Sequence, residues 1–128
     1  MEVFAATLAF QDEQIGRALV HVHRDPQHGW TVASLAEKAA MSRSAFSARF
    51  TELVGEAPMA YVTRWRMHVA QSWLREGELS VAEVAHRLGY QSEAAFSRAF
   101  KRTMGVSPGA ARRGAPADGR LAVATGEG

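Results

Sequence analysis

Apolar residues along this chain recur at spacings of three and four, the period of an α-helix, and the whole sequence reads as all-α. Ile15, Ala18, Leu19 and Val22 predict a first helix from Gln11 to Arg24, which the turn-prone Asp25-Pro26 and Gly29 bring to an end. Thr31 is a good N-cap for a second helix, VASLAEKAA, with Val32, Leu35, Ala36 and Ala39 on one face. Ser42 caps a third, RSAFSARFTELV, with Ala45, Phe46, Phe50 and Leu53 turned inward and Gly55 in a left-handed closing position. Pro58 suits the first turn of a long helix through Arg75, where Val62, Trp65, Val69 and Trp73 form a ladder reinforced by Tyr61, Ala70 and Leu74. Gly77 ends it.

Ser80-Val-Ala-Glu83 is a capping box opening a fifth helix with Val81, Val84, Ala85 and Leu88 on its apolar face. Ser92 caps a sixth, EAAFSRAFKRTM, with Ala95, Phe96, Ala99 and Phe100 inward. A short turn near Ala110 follows Pro108, and the Gly- and Ala-rich residues 114–128 are expected to form a disordered tail.

Helices two and three are written twice. At a shift of fifty, Ser42, Ala45, Phe46, Ser47, Phe50, Gly55 and Pro58 recur as Ser92, Ala95, Phe96, Ser97, Phe100, Gly105 and Pro108. At a shift of forty-nine, Val32, Ala33 and Ala36 recur as Val81, Ala82 and Ala85, so the second copy carries one extra residue in its turn, near Gln91. Each copy reads as a helix-turn-helix unit. Matching helical hairpins built only for packing would also repeat their Phe and Ala. Against that, the turns are short and the outward faces of helices three and six avoid large apolar residues, which suits a groove.

Composition narrows the picture. A chain of 128 residues allows one domain or two small subdomains sharing a core. The absence of cysteine excludes disulfides, thiolate metal sites and cysteine nucleophiles. Neither a membrane-length apolar run nor a signal peptide is present, so a cytoplasmic protein is expected. The net charge is only +2. Its distribution says more, because between Val84 and Arg113 the charged residues are Arg87, Arg98, Lys101, Arg102, Arg112 and Arg113 against Glu93 alone. A polyanionic partner fits.

These residues carry a resemblance. The order TVASLAEKAAMSRSAFSARFTELVGEAPMAYVTRWRM followed by LSVAEVAHRLGYQSEAAFSRAFKRTMGVSP is similar to the DNA-binding domain of AraC/XylS-type transcription regulators, over residues 12–113. Its most specific part resembles the family's C-terminal signature, with Ala85, Gly89, Tyr90, Phe96, Phe100, Lys101, Gly105 and Pro108 in matching places. The resemblance implies about seven helices: an extension over 1–11, a first helix-turn-helix over 31–55, a linker helix over 58–75 and a second helix-turn-helix over 80–105. It implies double-stranded DNA as partner, two recognition helices in successive major-groove segments, and contact with RNA polymerase in several members. Those segments lie about 34 Å apart along the duplex, and some eighteen helical residues at ~1.5 Å each span about 27 Å. Most members also carry an effector or dimerisation domain, which this chain is expected to lack.

The outward face of helix six comprises Glu93, Ala94, Ser97, Arg98 and Lys101, and the resemblance assigns base reading to its N-terminal part. Arg98 can donate a bidentate pair to guanine O6 and N7, worth about 1–3 kcal/mol of discrimination, or can contact a phosphate. Glu93 can accept from cytosine N4 or stabilise the helix N-terminus. Gln91, in the turn, can reach a base or a phosphate. On helix three the matching set is Arg43, Ser44, Ser47, Ala48 and Thr51, mostly small, which favours close approach over hydrogen-bonded readout. Arg43 and Arg49 on that helix, with Arg64, Arg66, Lys101 and Arg102, are candidate phosphate contacts. No cofactor or metal is expected, since His21 and His23 point to different faces of one helix and no ligand set completes them. Trp65 and Trp73 are assigned to the core rather than to base stacking.

No enzyme is expected. Related helix-turn-helix units occur in DNA-alkylation repair proteins that accept methyl groups on cysteine, chemistry this chain lacks. The remaining alternative is a protein-binding helical module, which would show an exposed apolar groove.

Overall fold

The computed structural model describes residues 9–114. Its helices are α1 (Glu13–Arg24), α2 (Val32–Ala39), α3 (Arg43–Val54), α4 (Pro58–Glu76), α5 (Val81–Arg87), α6 (Glu93–Met104) and α7 (Pro108–Arg112), with residues 9–11 also helical and no strand among the described residues. The expected tail lies, beyond Gly114, outside the described residues. The chain divides into two compact units, Met1–Trp65 and Arg66–Gly128, with the boundary inside α4.

Local chemistry sets most helix starts. Thr31 accepts from Ser34 N–H, and the Ser34 hydroxyl in turn accepts from Thr31 N–H, closing a capping box with serine in the place of the usual glutamate. Ser80 and Glu83 close the second box at 3.0 and 2.7 Å. Ser42, Ser92 and Ser107 accept from Ala45, Ala95 and Ala110 N–H. The first helix begins two residues later than periodicity suggested, because Asp12 stays extended and its carboxylate accepts from Ile15 N–H at 3.0 Å. Two further expectations need correction. Ala45 is exposed, since in the first turn its Cβ tilts toward the open N-terminal end of α3. The α4 ladder of Trp65, Val69 and Trp73 is only half-buried, whereas Met67, Ala70 and Leu74 are fully buried.

That second difference has a simple cause: α4 serves two cores and shows each a different row of side chains. Tyr61 and Val62 join Ile15, Leu19, Val22, Trp30, Leu35, Phe46 and Phe50 in the first core. Met67, Ala70 and Leu74 join Val84, Leu88, Phe96, Phe100 and Met104 in the second. The repeated phenylalanines hold equivalent places, with Phe46–Phe50 and Phe96–Phe100 ring centroids both 5.7 Å apart and tilted by 46°. Trp30, which the sequence reading passed over, closes the loop after α1 by donating its indole N–H to the Asp25 carbonyl at 2.8 Å. Pro108 and Ala111 seat α7 in the second core, and the Arg112 guanidinium donates to the Leu79 carbonyl.

His23 is half-buried in the first unit. Its ring stacks on Trp65 with centroids 4.0 Å apart, meets Phe10 edge-on at 5.3 Å, and its Nε2 lies 2.7 Å from the Tyr61 hydroxyl. Burial pushes its pKa below the ordinary 6.5. The folded state therefore binds fewer protons than the unfolded one, so this contribution to stability is complete above about pH 6.5 and is lost as pH falls through the folded value. Melting temperatures measured from pH 7.5 down to pH 5 should decline more steeply for the natural chain than for His23→Phe; parallel declines would remove His23 as the cause.

Candidate nucleic-acid interface

The interface is built on two turns. In the first unit α2 ends with Ala40 at φ 59°, its N–H bonded to Glu37 O at 3.0 Å, and Met41 N–H bonded to Ala36 O at 3.0 Å. In the second unit Gly89 sits at φ 85°, with Gly89 N–H on His86 O and Tyr90 N–H on Ala85 O, both 3.0 Å. Both are Schellman closures. The left-handed residues match at a shift of forty-nine and the Ser42 and Ser92 caps at a shift of fifty. The extra residue thus lies between Gly89 and Ser92, where Tyr90-Gln91 replaces Met41 alone. Tyr90 turns its ring edge-on to Phe96, centroids 5.6 Å apart, which leaves Gln91 exposed.

Beyond the turns, the exposed residues of α3 include Arg43, Ser44, Ala48, Arg49 and Thr51, with Ser47 half-buried. On α6 they include Glu93, Ala94, Arg98, Lys101 and Arg102, with Ser97 half-buried. Ser97, Arg98, Lys101 and Arg102 line one shallow depression together with Ser107 and Pro108. Apart from Gln91 in the turn, the base-reading candidates are therefore gathered on one helix in each unit, Arg43, Ser44, Ser47 and Ala48 on α3 and Glu93, Ala94, Ser97 and Arg98 on α6.

Candidate phosphate contacts fall into two groups. Among the described residues, Arg43, Arg98, Lys101 and Arg102 form no ion pair and their charges face solvent. Arg49 is instead paired with Asp12 at 2.5 Å, and Arg64 with Glu56 while lying 5.4 Å over the Tyr61 ring. Arg66 is half-buried, and burial lowers its pKa, an effect partly offset by the nearby Tyr90. The Tyr90 phenol is in turn pushed up by burial and held back by Arg66 and Arg102. Arg87 lies 5.7 Å over the Trp73 ring, an engagement that charge counting did not foresee.

Sequence reasoning also missed Gln14. From the first turn of α1 its Nε2 donates to the carbonyls of Ala39 and Ala40, at 3.1 and 3.3 Å, where α2 ends and needs acceptors satisfied. A polar residue reaching across twenty-five positions leaves no periodic trace.

Two short helices joined by such a turn, with the second presenting a polar, accessible face, define a helix-turn-helix protein. A helix-turn-helix family profile matches residues 35–114. A Streptomyces antibioticus protein designated AraC-like is 50% identical over 102 residues, covering 80% of this chain and 34% of its own length. The transcriptional regulator AlkR of Acinetobacter baylyi is 40% identical over 78% of this chain and 33% of itself. Among solved structures, the DNA-binding domain of AdpA, crystallised with a target DNA, superposes with a TM-score of 0.72 at 31% identity, covering 91% of this chain and 99% of that one. The chain belongs to the AraC-type helix-turn-helix DNA-binding domain family, a non-enzymatic one. It spans about a third of the length of the curated relatives it matches.

The paired turns generate a stability prediction. A left-handed conformation costs a residue with a Cβ about 1–2 kcal/mol, and Ala40 bears that cost where Gly89 does not. Ala40→Gly should raise stability by about 1 kcal/mol in urea unfolding. Gly89→Ala should lower it by a similar ~1 kcal/mol, because an added Cβ there meets no atom within 4 Å and the penalty is backbone strain alone. Equal effects of the same sign would refute this account.

Proposed function

We propose that this chain is the DNA-binding part of a transcription regulator, with α3 and α6 as reading heads that enter successive major-groove segments of double-stranded DNA. The observation that carries the reading is the α6 surface, where, among the described residues, Arg98, Lys101 and Arg102 form no ion pair and stand beside the small Ala94 and Ser97. In this reading Arg98 contacts a guanine edge, with Gln91, Glu93, Ala94 and Ser97 near it, and Arg43, Ser44, Ser47 and Ala48 form the second, sparser reading face. Lys101 and Arg102 hold phosphates. Arg64 would have to leave Glu56 to do the same. The AdpA domain, crystallised on its target DNA, supports this reading. Regulation, contact with RNA polymerase and a cytoplasmic location follow as parts of the same proposal.

A protein-binding module would need an exposed apolar groove. Among the described residues Phe10, at 38% exposure, is the one large apolar side chain left open.

The test is quantitative. Duplexes selected by the natural chain from a random library are titrated by fluorescence anisotropy over rising salt. Arg98→Ala should relax one base position and cost specific binding about 1–3 kcal/mol. Lys101→Ala should weaken all sequences alike and reduce the salt slope by about 0.9. A chain that binds selected and scrambled duplexes equally would sink the sequence-specific reading.

A further inference from the structure

Arg49 stands apart from the other basic residues of the two reading helices. At ~100° per residue around an α-helix, it projects about 100° away from Ala48 and about 140° away from Ser44. It therefore lies on the flank of α3. Its Nη2 donates to Asp12 Oδ2 at 2.5 Å, and the Asp12 side chain is only 11% exposed. The other oxygen of that carboxylate caps α1 by accepting from Ile15 N–H. Backbone donation from Ile15, followed by the Arg49 guanidinium, holds the Asp12 carboxyl below the usual carboxylate range against its partial burial. Two residues further along, Gln14 grips the carbonyls at the end of α2. One turn of α1 thus holds both arms of the first helix-turn-helix.

The repeat supplies a second observation. At the shift of fifty Arg49 becomes Ala99, which is 9% exposed and packed in the second core. Ala99 is buried in its unit, whereas Arg49 stays exposed and meets its own unit through Asp12. Were Arg49 to swing out to a phosphate, the Asp12 carboxylate would lose its cation and keep the Ile15 N–H as its partner.

We infer that Arg49 is a positioning residue, whose ion pair with Asp12 removes the rotation of α3 about its axis that the buried Phe46 and Phe50 leave, so that Arg43, Ser44, Ser47 and Ala48 meet the groove. It is not a phosphate contact. This inference rests on the DNA-binding reading.

The experiment uses the full 128-residue chain and a fluorescein-labelled duplex selected by it, with anisotropy titrations from about 50 to 200 mM salt. Arg49→Ala and Asp12→Asn should each weaken binding roughly three- to fivefold, with no change in salt slope. Asparagine keeps the N-cap of α1, so the second variant tests the pair without unfolding the helix. The double variant should bind no more weakly than either single one, and Arg49→Lys should recover part of the loss. Discrimination should fall only at the bases of one half of the duplex. A salt slope smaller by about 0.9 for Arg49→Ala would overturn the inference. So would tighter binding by Asp12→Asn, losses that multiply in the double variant, or losses spread equally over both halves. Failure of the natural chain itself to prefer its selected duplex would instead bring down the DNA-binding reading, and the positioning role with it.

Discussion

The structure depends on how the chain reverses direction between α2 and α3, and again between α5 and α6. A single left-handed residue followed by a hydrogen bond back to the fifth residue before it, Met41 to Ala36 or Tyr90 to Ala85, fixes the exit of one helix. A serine cap one or two residues later fixes the entry of the next. With exit and entry both set, the second helix has little freedom except rotation about its own axis. The buried phenylalanine pairs remove most of that, because Phe46 and Phe50, like Phe96 and Phe100, can enter the core from only one side. Whatever remains on the opposite side becomes the exposed face by geometry.

From that constraint follows the difference between the two heads. Residues that make the turn and the core are duplicated, whereas those on the free face are under no packing demand and diverge: Arg43-Ser44 against Glu93-Ala94, and Ala48 against Arg98. Charge follows the same division. The second head leaves three cations open to solvent, while the first commits Arg49 to a carboxylate of its own unit.

The fold was legible in the sequence to the extent that it is written locally. N-caps at Thr31, Ser42, Ser80 and Ser92, the stops at Gly55 and Gly77, and the phenylalanine rows all act within one or two turns, so periodicity and capping rules found them. The exceptions are instructive. Met67 escaped because a helix shared by two cores does not display one stripe, and Ala45 was assigned inward by a period that ignores the open end of a helix. The polar ties that brace the units, Gln14 to Ala39, Arg49 to Asp12, Trp30 to Asp25 and Arg112 to Leu79, join side chains to partners whose identity no spacing announces. For the candidate interface this mattered directly, since counting basic residues made Arg49, Arg64 and Lys101 equivalent and only their neighbours separate them.

That separation bears on how charge should be read in small helical DNA-binding folds. An arginine is held in place by whichever anion is nearer and less hydrated, and a carboxylate that is itself an N-cap, as Asp12 is, is already fixed by its own helix. Such an anion competes well for a cation because it loses no further freedom when the pair forms. Among the described residues, Lys101 and Arg102, on the last turns of α6, pair with no acid, and they sit at the helix end whose dipole favours cations. Their positive charge is thus stabilised by backbone that cannot be withdrawn, whereas that of Arg49 is paired with a carboxylate of its own unit.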